Sequence, residues 1–273
     1  MNERKVQERK VLAAIDDSAA AAPVLTTAKA LARLFDASIE AVHVQDGGLR
    51  VARQTARRSS VPFNVARGPV TETLVRLASE TDVVAVAIGA RRTPGGRRPV
   101  GGTTLELITA VDKPIAVVPP DAPTPAEPRR ILVAANGTQP TAPVLAAVVR
   151  NAVRSNVVVA VLHVYDETEV PLFEDQPQHE RAEREREFIA RCGLTPGVTV
   201  SFRVGRPGAQ VLDESTRDRA DLLILAWHRD LSAGRATVVR EVLEGSTVPV
   251  LLLPVARPAH RTPVRLDGLA IQG

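Results

Sequence analysis

The residues best suited to chemistry in this chain are glycines, arginines and threonines gathered between positions 89 and 104. The segment reads Gly89-Ala-Arg-Arg-Thr-Pro-Gly-Gly-Arg-Arg-Pro-Val-Gly-Gly-Thr-Thr. Glycine lets the backbone approach a ligand closely, and arginine binds anions through several hydrogen bonds. A helix beginning near Thr103 would add free N–H groups and a favourable dipole. The pattern therefore predicts a loop that binds phosphate.

A carboxylate at the end of an apolar run complements this loop. Asp16 directly follows the run Val11–Ile15, where it could accept hydrogen bonds from a ribose or a base. Together with the glycine-rich segment it predicts a nucleotide pocket. Neither GxxxxGK[ST] nor GxGxxG occurs in the sequence. The P-loop NTPase and classical dinucleotide-binding interpretations therefore lose support.

Strands and helices must alternate to position these residues. Apolar runs predict five strands and helical spacing predicts three helices, while Leu49–Arg58 could be a short helix or a loop. The predicted strands are Val11–Ile15, Ile39–Val44, Val61–Ala66, Val83–Ile88 and Ile115–Val118, and the helices are Pro23–Phe35, Val70–Ser79 and about Thr103 to Ala110. Such alternation implies a parallel sheet whose ligands bind beyond the carboxyl ends of the strands.

The same pattern recurs at a fixed offset of 120 residues. Asp16 has its counterpart in Asn136, and His43 in His163. A unit this long exceeds the periods of about 20–50 residues typical of solenoids, so two homologous domains are predicted. The second copy adds a segment around Glu167–Cys192 that contains a charged helix.

Composition bounds the class of protein. The chain has 273 residues, of which 44% are hydrophobic and 3% aromatic, so its cores must consist of Val, Leu, Ile and Ala. A single cysteine, Cys192, provides no internal disulfide and fits a reducing compartment. Neither a secretory signal nor a membrane-spanning run is evident, so a cytoplasmic location is expected.

Charge is distributed unequally between the copies. Residues 1–120 hold 17 Lys and Arg against 12 Asp and Glu, a balance of +5, whereas residues 130–256 hold 14 against 16, a balance of −2. The first copy is therefore the natural partner of an anion. No basic stripe with interleaved aromatics accompanies this charge, so nucleic acid is not an expected partner.

At this point the sequence resembles the universal stress protein family. ATP-binding members carry Gly-x2-Gly-x9-Gly-(Ser/Thr) after the fourth strand and an Asp at the end of the first. Gly89, Gly102 and Thr103 match this motif, whereas Arg92 replaces its second glycine. The resemblance implies that backbone near Val44 contacts the base and that the loop contacts the phosphates. The cofactor-binding residues so expected are Asp16, Val44, Gly89, Arg91, Arg92, Gly102, Thr103 and Thr104.

The second copy lacks this pattern. Asn136 replaces the aspartate, Ala226 stands where Gly89 stands, and Thr237 aligns with Gly102. Trp227 follows directly and would crowd a phosphate. We therefore expect this copy to bind no ATP, or to bind something else.

The expected fold is α/β, with two tandem Rossmann-like domains that each contain a five-stranded parallel sheet flanked by helices. The resemblance further implies that the last strands of the two domains pair within one chain. The expected divisions are a candidate nucleotide-binding domain, a Pro-rich linker, a degenerate domain and a disordered tail, at 1–119, 120–129, 130–256 and 257–273.

Three classes of function remain open. The leading hypothesis is a regulatory protein whose first domain binds ATP or a related adenine nucleotide, with Mg²⁺ only as its companion, and whose second domain is a pseudo-dimer partner. A nucleotide-free interaction module, with an unidentified protein partner or as a further homodimer, is the alternative. An enzyme, such as a slow ATPase or nucleotidyl transferase, ranks last because no catalytic base or metal site is indicated. For His43 and His163 a structural or solvent-facing role is favoured, and for Cys192 an inert thiol.

Overall fold

The structure is a computed structural model of the chain. It describes residues 8–45, 47–90, 100–123, 127–138, 141–165, 177–194, 197–232 and 236–255. Arg91 and Arg92, part of the expected linker and the tail expected to be disordered lie outside the described residues.

The first half of the chain alternates five strands with four helices. The strands are β1 (Lys10–Ala14), β2 (Ser38–Val44), β3 (Phe63–Ala66), β4 (Val83–Gly89) and β5 (Ile115–Val118). The helices are α1 (Ala21–Phe35), α2 (Arg50–Arg58), α3 (Val70–Ala78) and α4 (Gly102–Ala110).

The second half repeats this order. Its strands are β6 (Arg130–Ala134), β7 (Val158–Tyr165), β8 (Thr199–Val204), β9 (Leu222–Trp227) and β10 (Val250–Pro254). Its helices are α5 (Ala142–Arg154), α6 (Pro177–Cys192), α7 (Pro207–Arg217) and α8 (Thr237–Gly245).

All ten strands form one sheet in the order β3-β2-β1-β4-β5-β10-β9-β6-β7-β8. Neighbouring strands are parallel within each half, and only β5 and β10 are antiparallel. Ala116 pairs with Leu251 at the centre of this junction. The expected α/β fold with five parallel strands per copy is confirmed, as is the pairing of the last strands. The two five-stranded sheets are continuous with each other.

The central strands are buried because helices cover both faces of the sheet. Every residue of β5 is buried, and so are the first four of β10. Apolar side chains on both faces are typical of parallel strands between two helical layers. Aliphatic residues dominate the two apolar clusters that result, one on each face of the sheet.

The structure moves several predicted boundaries by one or two residues. The first helix begins at Ala21, two residues before the predicted start, and Pro23 still lies in its first turn, where its missing N–H costs nothing. The segment after β2, for which both a helix and a loop were considered, is helical as α2, and its buried face consists of Ala52 and Ala56. The charged helix of the second copy is present as α6. Among the described residues no helix is long and apolar enough to cross a membrane.

Candidate functional site

A cavity of about 510 Å³ opens at the carboxyl ends of the first-half strands. It spans the ends of the neighbouring strands β1 and β4. From β1 the next strands, β2 and β3, continue to one side of the sheet, and from β4 the next strand, β5, continues to the other. Open parallel sheets bind ligands at this switch point, because the diverging loops leave a crevice there. Its size is within the range of about 300–1,000 Å³ that small-molecule sites occupy.

Six of the eight expected site residues line this one cavity. They come from the ends of β1, β2 and β4 and from the start of α4, and they are Asp16, Val44, Gly89, Gly102, Thr103 and Thr104. The other two, Arg91 and Arg92, lie outside the described residues. The topology thus brings together side chains that are separated by almost ninety positions in the sequence.

The carboxylate of Asp16 is held by the turn that follows it. Its Oδ1 accepts hydrogen bonds from the backbone N–H of Ser18, at 3.2 Å, and from the hydroxyl of Ser18. The neighbouring Asp17 faces the other way, where its Oδ1 accepts the N–H groups of Val51 and Ala52 at the start of α2. Of these two adjacent carboxylates, that of Asp16 therefore lies at the cavity, and that of Asp17 caps helix α2.

The first turn of α4 lies in the wall of the cavity. The residue before this helix, Gly101, has no side chain with which to cap it, and it lines the cavity with the three residues after it. Thr103 Oγ1 accepts the hydroxyl of Thr71 at 3.3 Å, and Thr104 donates to the carbonyl of Gly89 at 3.4 Å. Uncapped N–H groups at a helix start attract anions.

The two motif glycines differ in their surroundings. Among the described residues, no atom lies within 4 Å of where a Cβ at Gly102 would stand. A Cβ at Gly89 would lie 3.6 Å from Val24 and 3.9 Å from Ala20, which are ordinary contacts. A side chain at either position would therefore not clash with its neighbours. The lack of one leaves more space in the cavity.

Apolar side chains form the inner wall, and sequence reasoning named only one of them as a site residue. They include Val24, Val42, Val44, Val70, Leu74 and Ile88. A flat apolar ring could lie against such a wall while polar groups stay at the rim. The sequence signal for these residues is their apolar character at the strand ends and on α1 and α3, where the same side chains serve both the core and the cavity.

His43 also lines the cavity, and of the structural or solvent-facing roles expected for it, its burial leaves the structural one. Its side chain is buried at 2% exposure, because the loop after β1 and the neighbouring elements cover the end of β2. Its Nδ1 lies 3.0 Å from the carbonyl oxygen of Ile15. The equivalent His163 makes the same contact with Ala135 at 2.8 Å.

The second half has different side chains at the equivalent position. Gly89 pairs with Val118, the fourth residue of β5, and Ala226 pairs with Leu253, the fourth residue of β10. Gly89 and Ala226 are therefore equivalent, and so are the residues that follow them, Ala90 and Trp227. Trp227 is buried and belongs to the apolar cluster on that face. Thr237 begins α8, as Gly102 begins α4, which agrees with the sequence alignment.

Helix α6 covers the loop after β6 through Phe188. The ring of Phe188 is fully buried and lies at 4.5 Å, centroid to centroid, from that of His163. A Cβ at Gly137 would come within 2.9 Å of the Phe188 ring. Asn136 accepts hydrogen bonds from Thr138 and Thr141. Helix α6 therefore packs the aromatic ring of Phe188 beside the position that corresponds to the first-half cavity.

Solved structures resemble the whole chain. A universal stress protein from Archaeoglobus fulgidus is 14% identical with a TM-score of 0.63, covering 90% of this chain and 98% of that chain. A putative universal stress protein from Pseudomonas aeruginosa is 14% identical with a TM-score of 0.69, covering 91% and 94%. At this identity the likeness concerns the fold alone. No curated protein matches the sequence.

Sequence comparison identifies a family domain in the second half. The model described as "Universal stress protein family" matches residues 127–254, which include every element of the second half. The first half repeats that topology around the β5–β10 junction. Through this match residues 127–254 form a universal stress protein domain, and the chain as a whole has the fold of solved universal stress proteins.

Proposed function

We propose that the first half binds an adenine nucleotide, with ATP as the leading candidate, and that the protein acts as a nucleotide-responsive regulator. The observation that carries this proposal is the convergence of six expected site residues from four separate segments on one cavity. A ring-sized apolar wall, a carboxylate at the rim and an uncapped helix start are the three parts that a nucleotide requires.

Each part has a natural complement in the ligand. The apolar wall suits the base, and Asp16 suits the hydroxyl groups of the ribose, which donate hydrogen bonds to a carboxylate. The N–H groups at Gly102, Thr103 and Thr104 suit phosphate oxygens. Arg91 and Arg92 would add charge-assisted contacts to the same phosphates. Mg²⁺ would arrive with the nucleotide.

In this proposal the second half is a pseudo-dimer partner that supports the first. Its sheet continues that of the first half through β5 and β10, and α5 reaches α1, where Asn151 donates to the carbonyl of Leu34 at 3.2 Å. Trp227 and Phe188 argue against a second nucleotide site, because bulky rings stand near the equivalent position. One nucleotide per chain is therefore expected.

Calorimetric titration of the full chain with ATP tests the proposal. We expect saturable binding at about one molecule per chain, with ADP and AMP as comparison ligands to measure the contribution of each phosphate. Two equivalent sites would contradict the role assigned to the second half. An absence of binding for every adenine nucleotide would favour a nucleotide-free interaction module, and turnover of labelled ATP would instead indicate a slow ATPase.

A further inference from the structure

Helix α2 presents only positive charge to solvent. All four of its charged residues are exposed arginines, and they are Arg50, Arg53, Arg57 and Arg58. The opposite side of the helix is buried through Ala52 and Ala56. None of the four arginines forms a salt bridge with a described residue. The part of the chain that the structure describes therefore provides no carboxylate paired with this side of the helix.

This arrangement of charge disfavours the helix unless an anion offsets it. Arg53 lies three residues after Arg50 and four before Arg57, so the three side chains are neighbours on the helix surface, where like charges repel. The helix dipole favours cations in the last turn, which accounts for Arg57 and Arg58. It disfavours Arg50, which is the first residue of the helix. Helix stability therefore does not explain the row of arginines.

The second half shows that the fold does not require this charge. Helix α6 has the same place in its half as α2, between the second and the third strand. Its residues 183–187 alternate glutamate with arginine, and Glu187 forms a salt bridge with Arg191 at 4.0 Å. The same position thus has a balanced surface in one half and an unbalanced surface in the other.

The outermost strand of the sheet lies beside the arginines. β3 is the last strand on its side, and no described strand pairs with its outer edge. Phe63 of β3 packs against the apolar cluster that contains Ala52 and Ala56 of α2. Because side chains alternate along a strand, Val65 lies on the same face as Phe63, and it is 38% exposed. An edge strand with free N–H and C=O groups can accept another extended segment.

We propose that the exposed side of α2 and the free edge of β3 form a docking surface for an acidic, extended segment of a protein partner. The segment adds to β3 as a further strand, and its carboxylates on the α2 side pair with the arginines. Guanidinium groups suit carboxylates because they can donate two parallel hydrogen bonds. No residue of α2 or β3 lines the cavity, so this surface is separate from the proposed nucleotide site.

The strand edge is the reason to prefer a protein over other polyanions. Nucleic acid and an anionic bilayer match the charge of the arginines, but neither has a peptide backbone that could continue the sheet. The one aromatic residue of α2 and β3 is Phe63, which packs against the apolar cluster and so offers no platform for a base.

The test is a peptide titration of the full chain. A fluorescein-labelled peptide that alternates glutamate with valine places all its carboxylates on one side when it is extended. Fluorescence anisotropy measures its Kd for the wild-type chain and for the double variant Arg53→Glu/Arg57→Glu. We expect the variant to bind at least about tenfold more weakly at low salt, since two attractive contacts become repulsive. Circular dichroism checks that the variant folds.

The matched control is Arg150→Glu/Arg154→Glu. These two arginines are also exposed and four residues apart, but they lie on α5, in the second half. The change in net charge is the same, so this variant should bind the peptide as the wild-type chain does. Equal loss of affinity in both double variants would mean that only net charge matters, and it would overturn the proposal.

Hydrogen exchange tests the strand edge in the wild-type chain. The peptide should slow amide exchange within residues 63–66 of β3 and leave residues 199–204 of β8, the opposite edge strand, unchanged. Unchanged exchange in β3 at saturating peptide would overturn strand addition, and so would an absence of binding. Duplex DNA or phosphatidylglycerol vesicles that bind more tightly than the peptide, through the same arginines, would assign α2 to those polyanions instead. Self-association that Arg53→Glu/Arg57→Glu abolishes would make a second copy the occupant.

Discussion

Trp227 occupies in the second half the position that Ala90 occupies in the first. Both side chains are buried, at 4% and 8% exposure, and both belong to the apolar cluster on one face of the sheet. Ala90 lines the cavity, where its single methyl group takes little space. The difference between a methyl group and an indole at one equivalent position is the clearest structural reason to expect one site per chain.

This relationship makes Trp227 a reporter, since it is the only tryptophan of the chain. We expect a blue-shifted emission that acrylamide quenches poorly, because the indole is buried. Saturation with ATP should leave this emission unchanged, because the nucleotide is expected in the other half. A strong quench that follows the binding isotherm would place the ligand beside Trp227 and contradict the assignment.

Substitution of Gly102 tests the helix start as a phosphate site. Gly102→Val should weaken ATP binding at least about tenfold, because its side chain would occupy the open space that the phosphates need. The matched control is Gly47→Val, since a Cβ at Gly47 also meets no atom of the described part of the chain within 4 Å and Gly47 is not a residue of the cavity wall. Calorimetry compares the affinities, and far-UV circular dichroism checks that both variants fold. Equal affinity in the two variants would indicate an ordinary solvated loop.

Arg92 replaces the second motif glycine, and two effects compete there. If its guanidinium reaches the phosphates, Arg92→Gly should weaken ATP binding by about tenfold or more, as loss of a charge-assisted hydrogen bond predicts. Arg92→Lys should retain part of the affinity because it keeps the charge. In that case the affinity of Arg92→Gly for ATP should also decrease less steeply with increasing salt concentration than that of the wild-type chain. Tighter binding with an unchanged salt slope would mean that the arginine narrows the pocket.

Cys192 should be unreactive in the folded protein. Burial raises the pKa of its thiol, although the charge of Arg191 acts in the opposite direction. Because the thiolate is the nucleophile, a raised pKa and 4% exposure both slow the reaction with a disulfide reagent. We expect labelling at neutral pH to be slow in buffer and rapid in denaturant. Fast labelling of the native chain would show that α6 opens readily.

Lys10 should stabilise the amino-terminal end of the first-half sheet. Burial alone would lower the pKa of its ammonium, but hydrogen bonds with Glu40, Asp82 and Glu80 outweigh it and raise that pKa above the ordinary 10.5. The folded state thus favours the charged form, so the stabilisation is complete below pH 10.5 and declines only in stronger alkali.

Lys10→Met would remove the ammonium group that Glu40, Glu80 and Asp82 share, while Glu80 keeps its ion pair with Arg76 at 4.0 Å. We expect a loss of about 1–3 kcal/mol in the free energy of unfolding at neutral pH, the scale of hydrogen bonds to charged groups. Denaturant titration measures this loss, and added salt should restore part of it by screening the repulsion. An unchanged midpoint would show that the carboxylates are already well solvated.

Periodicity and repetition predicted most of the architecture. Apolar runs such as Ile115–Val118 identify buried strands because both faces need apolar side chains, and a single offset fixes equivalent positions in both halves. The motif residues could be placed together because strand ends meet at one edge of a parallel sheet. The burial of His43 and the position of the Phe188 ring could not be predicted, because they depend on how elements distant in the sequence pack around them.

The antiparallel pairing of β5 with β10 has a consequence for how the two halves vary. Two identical chains that met along such an edge would obey mass action, and every substitution would appear on both sides of the axis. Here the joint is unimolecular, so dilution does not separate the halves, and their effective concentration is set by the chain itself. The second half can therefore carry a tryptophan, Trp227, where the first half has an alanine, Ala90, and the first half can keep its cavity.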